Sequence, residues 1–192
     1  AQQAAQQQAE AQQAGTPAPG ATPGAAPGTA GVPGSAGEAT GPLSREQAIA
    51  AAPRVSIETP RLSGSISLTG ARVDDLRLKD YRETVDKGSP LITLFSPKGT
   101  QGAFYADNGW VAEPGAQVKL PGADTVWTVA GESNLTPGTP GTLTWDNGEG
   151  AVFSRTFSID ENYMFKVTQS VANNTGGDLT LYPYSLIVRN GT

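Results

Sequence analysis

From Arg54 onward, apolar residues recur at every second position, and this alternation constrains the fold more than any other feature of the chain. Val55 and Ile57 alternate with Ser56 and Glu58. After Thr59-Pro60, Leu62, Gly64, Ile66 and Leu68 alternate with polar partners. A period of two puts successive side chains on opposite faces, so the pattern predicts half-buried strands. It continues through Val73–Leu78, Leu91–Phe95, Ala103–Ala106, Trp110–Ala112, Thr125–Ala130, Thr142–Trp145, Ala151–Ile159, Asn162–Asn173 and Asp178–Asn190. Between these runs, Asp107-Asn108-Gly109, Asp146-Asn147-Gly148 and Asn173–Gly177 supply residues that tolerate positive φ. Each predicts a tight reversal, and Asp160-Glu161-Asn162 predicts another. The last three strands read as an antiparallel meander. About ten short strands with almost no helix predict an all-β chain folded as an antiparallel β-sandwich. No internal repeat is visible, which argues against a propeller or β-helix.

The alternation does not reach the start of the chain. From Ala1 to Gly41 the residues are almost wholly Ala, Gln, Gly, Pro, Thr and Ser, with Glu10 and Glu38 the only charges and Val32 the only larger aliphatic. Such a stretch cannot bury enough apolar surface to offset about 1–2 kcal/mol of backbone entropy per ordered residue. Residues 1–43 therefore read as a low-complexity, disordered linker. Ala1–Gln13 is rich in helix formers but has no apolar face, and Gly15–Gly41 is a Pro/Gly spacer. Residues 44–52 predict a short helix. Ser44 can cap it, Gln47 stands at the capping-box position, and Pro53 stops it. The sandwich then occupies 54–192.

Composition removes several chemistries. The 192 residues contain no Cys and no His and carry a net charge of -5. Without Cys there is no disulfide, thiolate nucleophile or zinc cluster, and without His a Ser-His-Asp triad cannot form. Neither a cofactor nor a metal is expected. The acidic balance without a basic cluster gives no electrostatic footing for nucleic acid. No apolar run reaches 18 residues, so no transmembrane segment is expected, and a secretion signal, if used, would lie before Ala1.

Carboxylate pairs occur at Asp74-Asp75, at Asp160-Glu161, and at Asp146 with Glu149. Neighbours on a strand point to opposite faces, and the other pairs fall in turns, so none predicts acid–base catalysis. Asp146–Gly150, DNGEG, lacks the ligand spacing of a calcium loop and reads as a hairpin turn. Arg61, Arg72, Arg77, Lys79 and Arg82 are interleaved with acids and read as a solvated face. Tyr105, Trp110, Trp127, Trp145, Tyr182 and Tyr184 could fill a core or form a binding platform. Tyr182-Pro183-Tyr184 stands out, because proline inside a strand implies an edge or a bulge. These three residues are the candidate partner-binding rim. No catalytic residue is assigned.

Four segments together resemble one family. They are ISLTGARVDDLRLKDYRET (Ile66–Thr84), SPLITLFSPKGT (Ser89–Thr100), AFYADNGWV (Ala103–Val111), and FSRTFSIDENYMFKVTQSVANNTGGDLTLYPYSLIVRN (Phe153–Asn190). In order and spacing they resemble the periplasmic domain of the YidC family of membrane-protein insertases, in its α-proteobacterial form. The resemblance covers Pro53 to the end. It implies a supersandwich of the galactose-mutarotase type, of which 54–192 would be the N-terminal part. It also implies a non-catalytic accessory role at the bacterial inner membrane, with this domain facing the periplasm and the low-complexity segment as its tether. The implied partners are the Sec translocon with its accessory subunits, and nascent inner-membrane proteins. The insertase groove belongs to transmembrane helices outside this chain. A secreted carbohydrate- or peptide-binding sandwich is the alternative, and a mutarotase-like enzyme is disfavoured by the lack of His.

Overall fold

The computed structural model describes residues 41–190. The linker and helix expectations for residues 1–40 lie outside the described residues. Helix α1 (Arg45–Ala50) opens the described chain. Ser44 is its N-cap. The Ser44 hydroxyl accepts from the Gln47 amide, and the Gln47 side chain accepts from the Ser44 amide. This reciprocal box satisfies two amides that a helix start leaves without partners.

Eleven strands follow: β1 (Arg54–Glu58), β2 (Leu62–Ser67), β3 (Arg72–Arg82), β4 (Leu91–Phe95), β5 (Phe104–Ala112), β6 (Thr128–Ala130), β7 (Asn134–Leu135), β8 (Gly141–Asp146), β9 (Ala151–Ile159), β10 (Phe165–Asn173) and β11 (Leu181–Arg189). They form two sheets. The seven-stranded sheet runs β11-β5-β3-β2-β1-β7, with β4 also pairing β3; the four-stranded sheet runs β10-β9-β8-β6. Every pairing is antiparallel except the short parallel one between β1 and β7. The fold is an antiparallel β-sandwich.

The inward residues of both sheets meet in one core. Val55, Ile57, Leu62, Ile66, Val73, Leu76 and Trp110 come from the larger sheet, and Leu143, Phe153, Phe157 and Ile159 from the smaller. Strand β9 shows the alternation at its clearest, burying Ala151, Phe153, Arg155, Phe157 and Ile159 and leaving the residues between them half-buried. The edge of Trp110 meets Phe153, with ring centres 5.1 Å apart, and Trp110 stacks on Trp127 at 6.4 Å. Such aromatic pairs add to the area they bury.

Three expectations are corrected. The first concerns Asp107-Asn108-Gly109. It makes no turn but lies inside the continuous strand β5, and Gly109 is not in a left-handed conformation. All three residues serve tertiary contacts instead. Asp107 pairs with Arg72, and the Asn108 side-chain oxygen accepts from Ser185. Gly109 leaves room for the Tyr184 ring, which occupies the space a Cβ would need.

Secondly, the last three strands are not a meander. β9 and β10 form a hairpin, but β11 crosses to the other sheet and pairs along its full length with β5. Gly176 has positive φ, so a local reversal does occur. The segment between β10 and β11 is longer than a tight hairpin loop, and it carries the chain across the sandwich.

The third correction concerns Asp74 and Asp75. Ser65 pairs with Asp75 while Ile66 pairs with Val73, so Asp74 is the extra residue of a β-bulge. A bulge adds one residue to one strand and shifts the alternation beyond it. Val73 and Leu76, three apart, can therefore both enter the core. The two carboxylates are buried and belong to one network on the outer side of the sheet.

Candidate functional site

That network is built from four elements. Arg54 on β1 pairs with Asp74, and its Nε donates to the Ser65 hydroxyl at 2.6 Å. Ser65 donates in turn to Asp75 at 2.6 Å, and Arg45 of α1 pairs with the same carboxylate. Burial raises the Asp74 carboxyl above the usual range, outweighing the attraction of Arg54. The arrangement neutralises charge and leaves no carboxylate pair free to exchange protons with a substrate. Arg72, expected on a solvated face, is buried as well. It donates to the Ala123 carbonyl and to Asp107, and lies over the Tyr105 ring.

A second buried cation escaped the sequence reading. Arg155 is 2% exposed, at the middle of β9. One guanidinium nitrogen donates to the carbonyls of Gly70 at 2.8 Å and Ala71 at 3.2 Å, and the other donates to the carbonyl of Asn108. Its Cζ lies over the Trp127 and Trp110 rings, 4.7 and 5.3 Å from their centres. It makes no ion pair among the described residues. Burial lowers its pKa to about 10. Gly70 and Ala71 both have positive φ, so Arg155 braces a left-handed turn from the opposite sheet. The signal was present in the sequence, since an Arg at an inward position of an alternating strand must find partners.

The Tyr182-Pro183-Tyr184 rim lies on β11, the edge strand of the larger sheet. Tyr182 and Tyr184 share the outer face of the sheet with Leu186. Their exposures are 54%, 40% and 41%, and Val111 on β5 adds 54%. Tyr184 covers Gly109, so part of its surface serves packing. Pro183 points to the inner side, where Val167, Gln169 and Ser185 join it around a shallow recess, and the Gln169 side chain donates to the Tyr184 backbone carbonyl at 3.4 Å. Strand β10 is the edge of the smaller sheet. Of the other aromatics, Tyr105, Trp110 and Trp127 are buried and Trp145 packs against Phe153. They present no exposed platform.

An apolar groove that the sequence gave no reason to expect opens where the two sheets diverge. Leu62, Leu76, Leu78, Leu94, Phe95 and Phe165 line it, with Tyr81 and Tyr163 at its mouth, around a volume of about 380 Å³. Tyr163 sits at positive φ in the β9–β10 turn, its hydroxyl donates to Asp80, and Arg61 lies over its ring. The groove is assembled from β2, β3, β4 and β10, and no single segment reveals it. Among the described residues no cluster of Asp, Glu, His or Cys could hold a metal, and no helix is long and apolar enough to cross a membrane.

Comparison with known proteins assigns this architecture. The model of the YidC periplasmic domain matches residues 54–192. The chain belongs to that family. Among its relatives are proteins named membrane protein insertase YidC. That of Bradyrhizobium diazoefficiens is 52% identical over 159 residues, covering 82% of this chain and 26% of the relative. That of Methylobacterium radiotolerans is 55% identical over 151 residues, covering 79% and 24%. That of a Ruegeria species is 53% identical over 131 residues, covering 68% and 22%. The chain thus spans about a quarter of the length of the curated relatives it matches. The family match starts at Arg54, where the alternation starts, and contains the rim, the groove and the Arg155 brace.

Proposed function

We propose that this chain is the tethered, non-catalytic periplasmic module of an insertase of the bacterial inner membrane. It assists the insertion and folding of inner-membrane proteins, alone or beside the Sec translocon and its accessory subunits. The family match over residues 54–192 carries this reading. Residues 1–43 are the tether, and the Tyr182-Pro183-Tyr184 rim is a contact surface for partners. Two features support such contacts. The edge strands β10 and β11 end the two sheets, and unpaired strand edges accept extended segments. The groove beside β4 offers apolar volume for side chains of a nascent segment. A secreted carbohydrate-binding module finds less support, because all three tryptophans turn toward the core.

Photo-crosslinking in a full-length insertase carrying this domain tests the proposal. A crosslinker at Tyr182 or Leu94 is expected to capture Sec accessory subunits or nascent periplasmic segments. Deleting residues 54–192 is expected to slow insertion of a dependent substrate. Absence of adducts at both positions, with insertion unchanged by the deletion, would overturn the contact role.

A further inference from the structure

We infer that α1 is a detachable clasp at the junction of the N-terminal spacer and the sandwich, docked while its ion pairs hold and released into the spacer when they break. Its consequence for reach rests on the proposed reading of residues 1–43 as a tether; the opening itself does not.

The attachment of α1 is thin and polar. None of its residues is buried, and Ile49 is its only larger aliphatic. Ile49 is half-buried and lines a shallow recess with Ser63, Gly64 and Asp75, on the polar outer side of the sheet. Three other ties hold the segment. The Leu43 amide donates to the Gly99 carbonyl at 3.1 Å, Arg45 pairs with Asp75, and Glu46 lies 3.9 Å from Arg77. The Arg45–Asp75 pair is single-ended, since the Nε of Arg45 is buried without a partner among the described residues. Burial pulls the Arg45 guanidinium below its ordinary value, outweighing the attraction of Asp75. The pair therefore holds α1 against a burial cost, and without it little offsets that cost.

The sandwich does not need the clasp. Asp74 is held by Arg54, and Asp75 keeps the Ser65 hydroxyl. Undocking re-solvates Arg45 and the open side of Asp75 and strips nothing from the core. The boundary is sharp, because the Leu68 amide ties the Pro53 carbonyl into the sheet at 2.9 Å. A free helix this short does not persist in water, so release also melts it. Residues 43–52 would then add a contour length of up to about 36 Å to the spacer, less the span they cover when docked. The proposed tether accordingly has two lengths, set chiefly by the Arg45–Asp75 pair.

Hydrogen–deuterium exchange on the chain Ala1–Thr192 reads the opening. Amides of residues 47–50, which have acceptors in the docked helix, are expected to exchange at least about a hundredfold faster than those of β2 and β3, through local opening. Arg45→Gln should accelerate them about tenfold more while leaving β2 and β3 unchanged. Spin labels at Ala50→Cys and Lys98→Cys, unique because the chain has no cysteine, should give one short distance that broadens in the Arg45→Gln background. The inference is overturned if α1 amides are as protected as β2 and β3. It is equally overturned if Arg45→Gln changes neither rate nor distance. Either failure removes the clasp alone, since the insertase reading is decided by crosslinking and insertion.

Discussion

Replacing Arg155 by Met tests whether a buried guanidinium can hold two sheets together without an ion pair. Met is unbranched and apolar and fills much of the same space beside Trp110 and Trp127. The exchange removes the donors to the carbonyls of Gly70, Ala71 and Asn108. A buried carbonyl left without its donor costs about 1–3 kcal/mol. Loss of a desolvated cation from two aromatic faces costs up to about 2 kcal/mol for each face. Against these stands relief of the burial cost. A pKa lowered to about 10 from 12.5 corresponds to roughly 3 kcal/mol disfavouring the charged form. The three carbonyls alone cost about 3–9 kcal/mol, which exceeds that relief over most of its range, and the net expectation is a destabilisation of a few kcal/mol, read as a lower urea midpoint at unchanged m-value. Arg155→Lys should be at least as damaging, because it keeps a desolvated charge but loses the planar fork that reaches both nitrogens' partners. If Arg155→Met is as stable as the parent or more so, the guanidinium is a net burden, and the brace argument fails.

Three further outcomes follow from the geometry. Gly109→Ala should destabilise by about 1–3 kcal/mol because its Cβ meets the Tyr184 ring, and adding Tyr184→Ala should recover part of the loss in a double-mutant cycle by urea unfolding. Deleting Asp74 should remove the bulge yet leave Val73 and Leu76 two apart and both inward, so a cooperative thermal transition should persist at a lower midpoint, because Arg54 loses its partner; loss of the transition would show that the bulge itself is required. The raised folded-state pKa of Asp74 means that between that value and 3.8 the native state binds more protons than the unfolded one. Stability conferred by this group should therefore rise as pH falls through that window, so the advantage of the parent over Asp74→Asn should grow from pH 7 to pH 4. A difference that shrinks on acidification would show that Arg54 dominates at Asp74.

Much of the fold was legible because each strand carries its own alternation. β4 and β9 occupy Leu91–Phe95 and Ala151–Ile159, the segments the period marked out, and Ser44-x-x-Gln47 caps α1 as its spacing implies. The candidate rim was legible in part. Pro183 signalled an edge, and β11 is one, but the use of Tyr184 to cover Gly109 depends on a strand 75 residues earlier in the chain (184 minus 109). The groove was not legible, since its lining converges from four strands that are scattered in sequence.

What the sequence determined by itself is therefore local: most strands, the inward apolar residues of the regular ones, the helix cap, and the lack of thiol and imidazole chemistry. Local signals suffice there because alternation and capping depend on neighbours a few residues apart. Tertiary structure decided the rest. Asp-Asn-Gly serves as a turn at Asp146-Asn147-Gly148, where Gly148 has positive φ, and as extended strand at Asp107-Asn108-Gly109. The second set is held straight by Arg72, Ser185, Arg155 and Tyr184, contacts that form only once both sheets are assembled. The destination of β11 was open for the same reason. A turn motif fixes that the chain reverses, while packing energy fixes which sheet receives it.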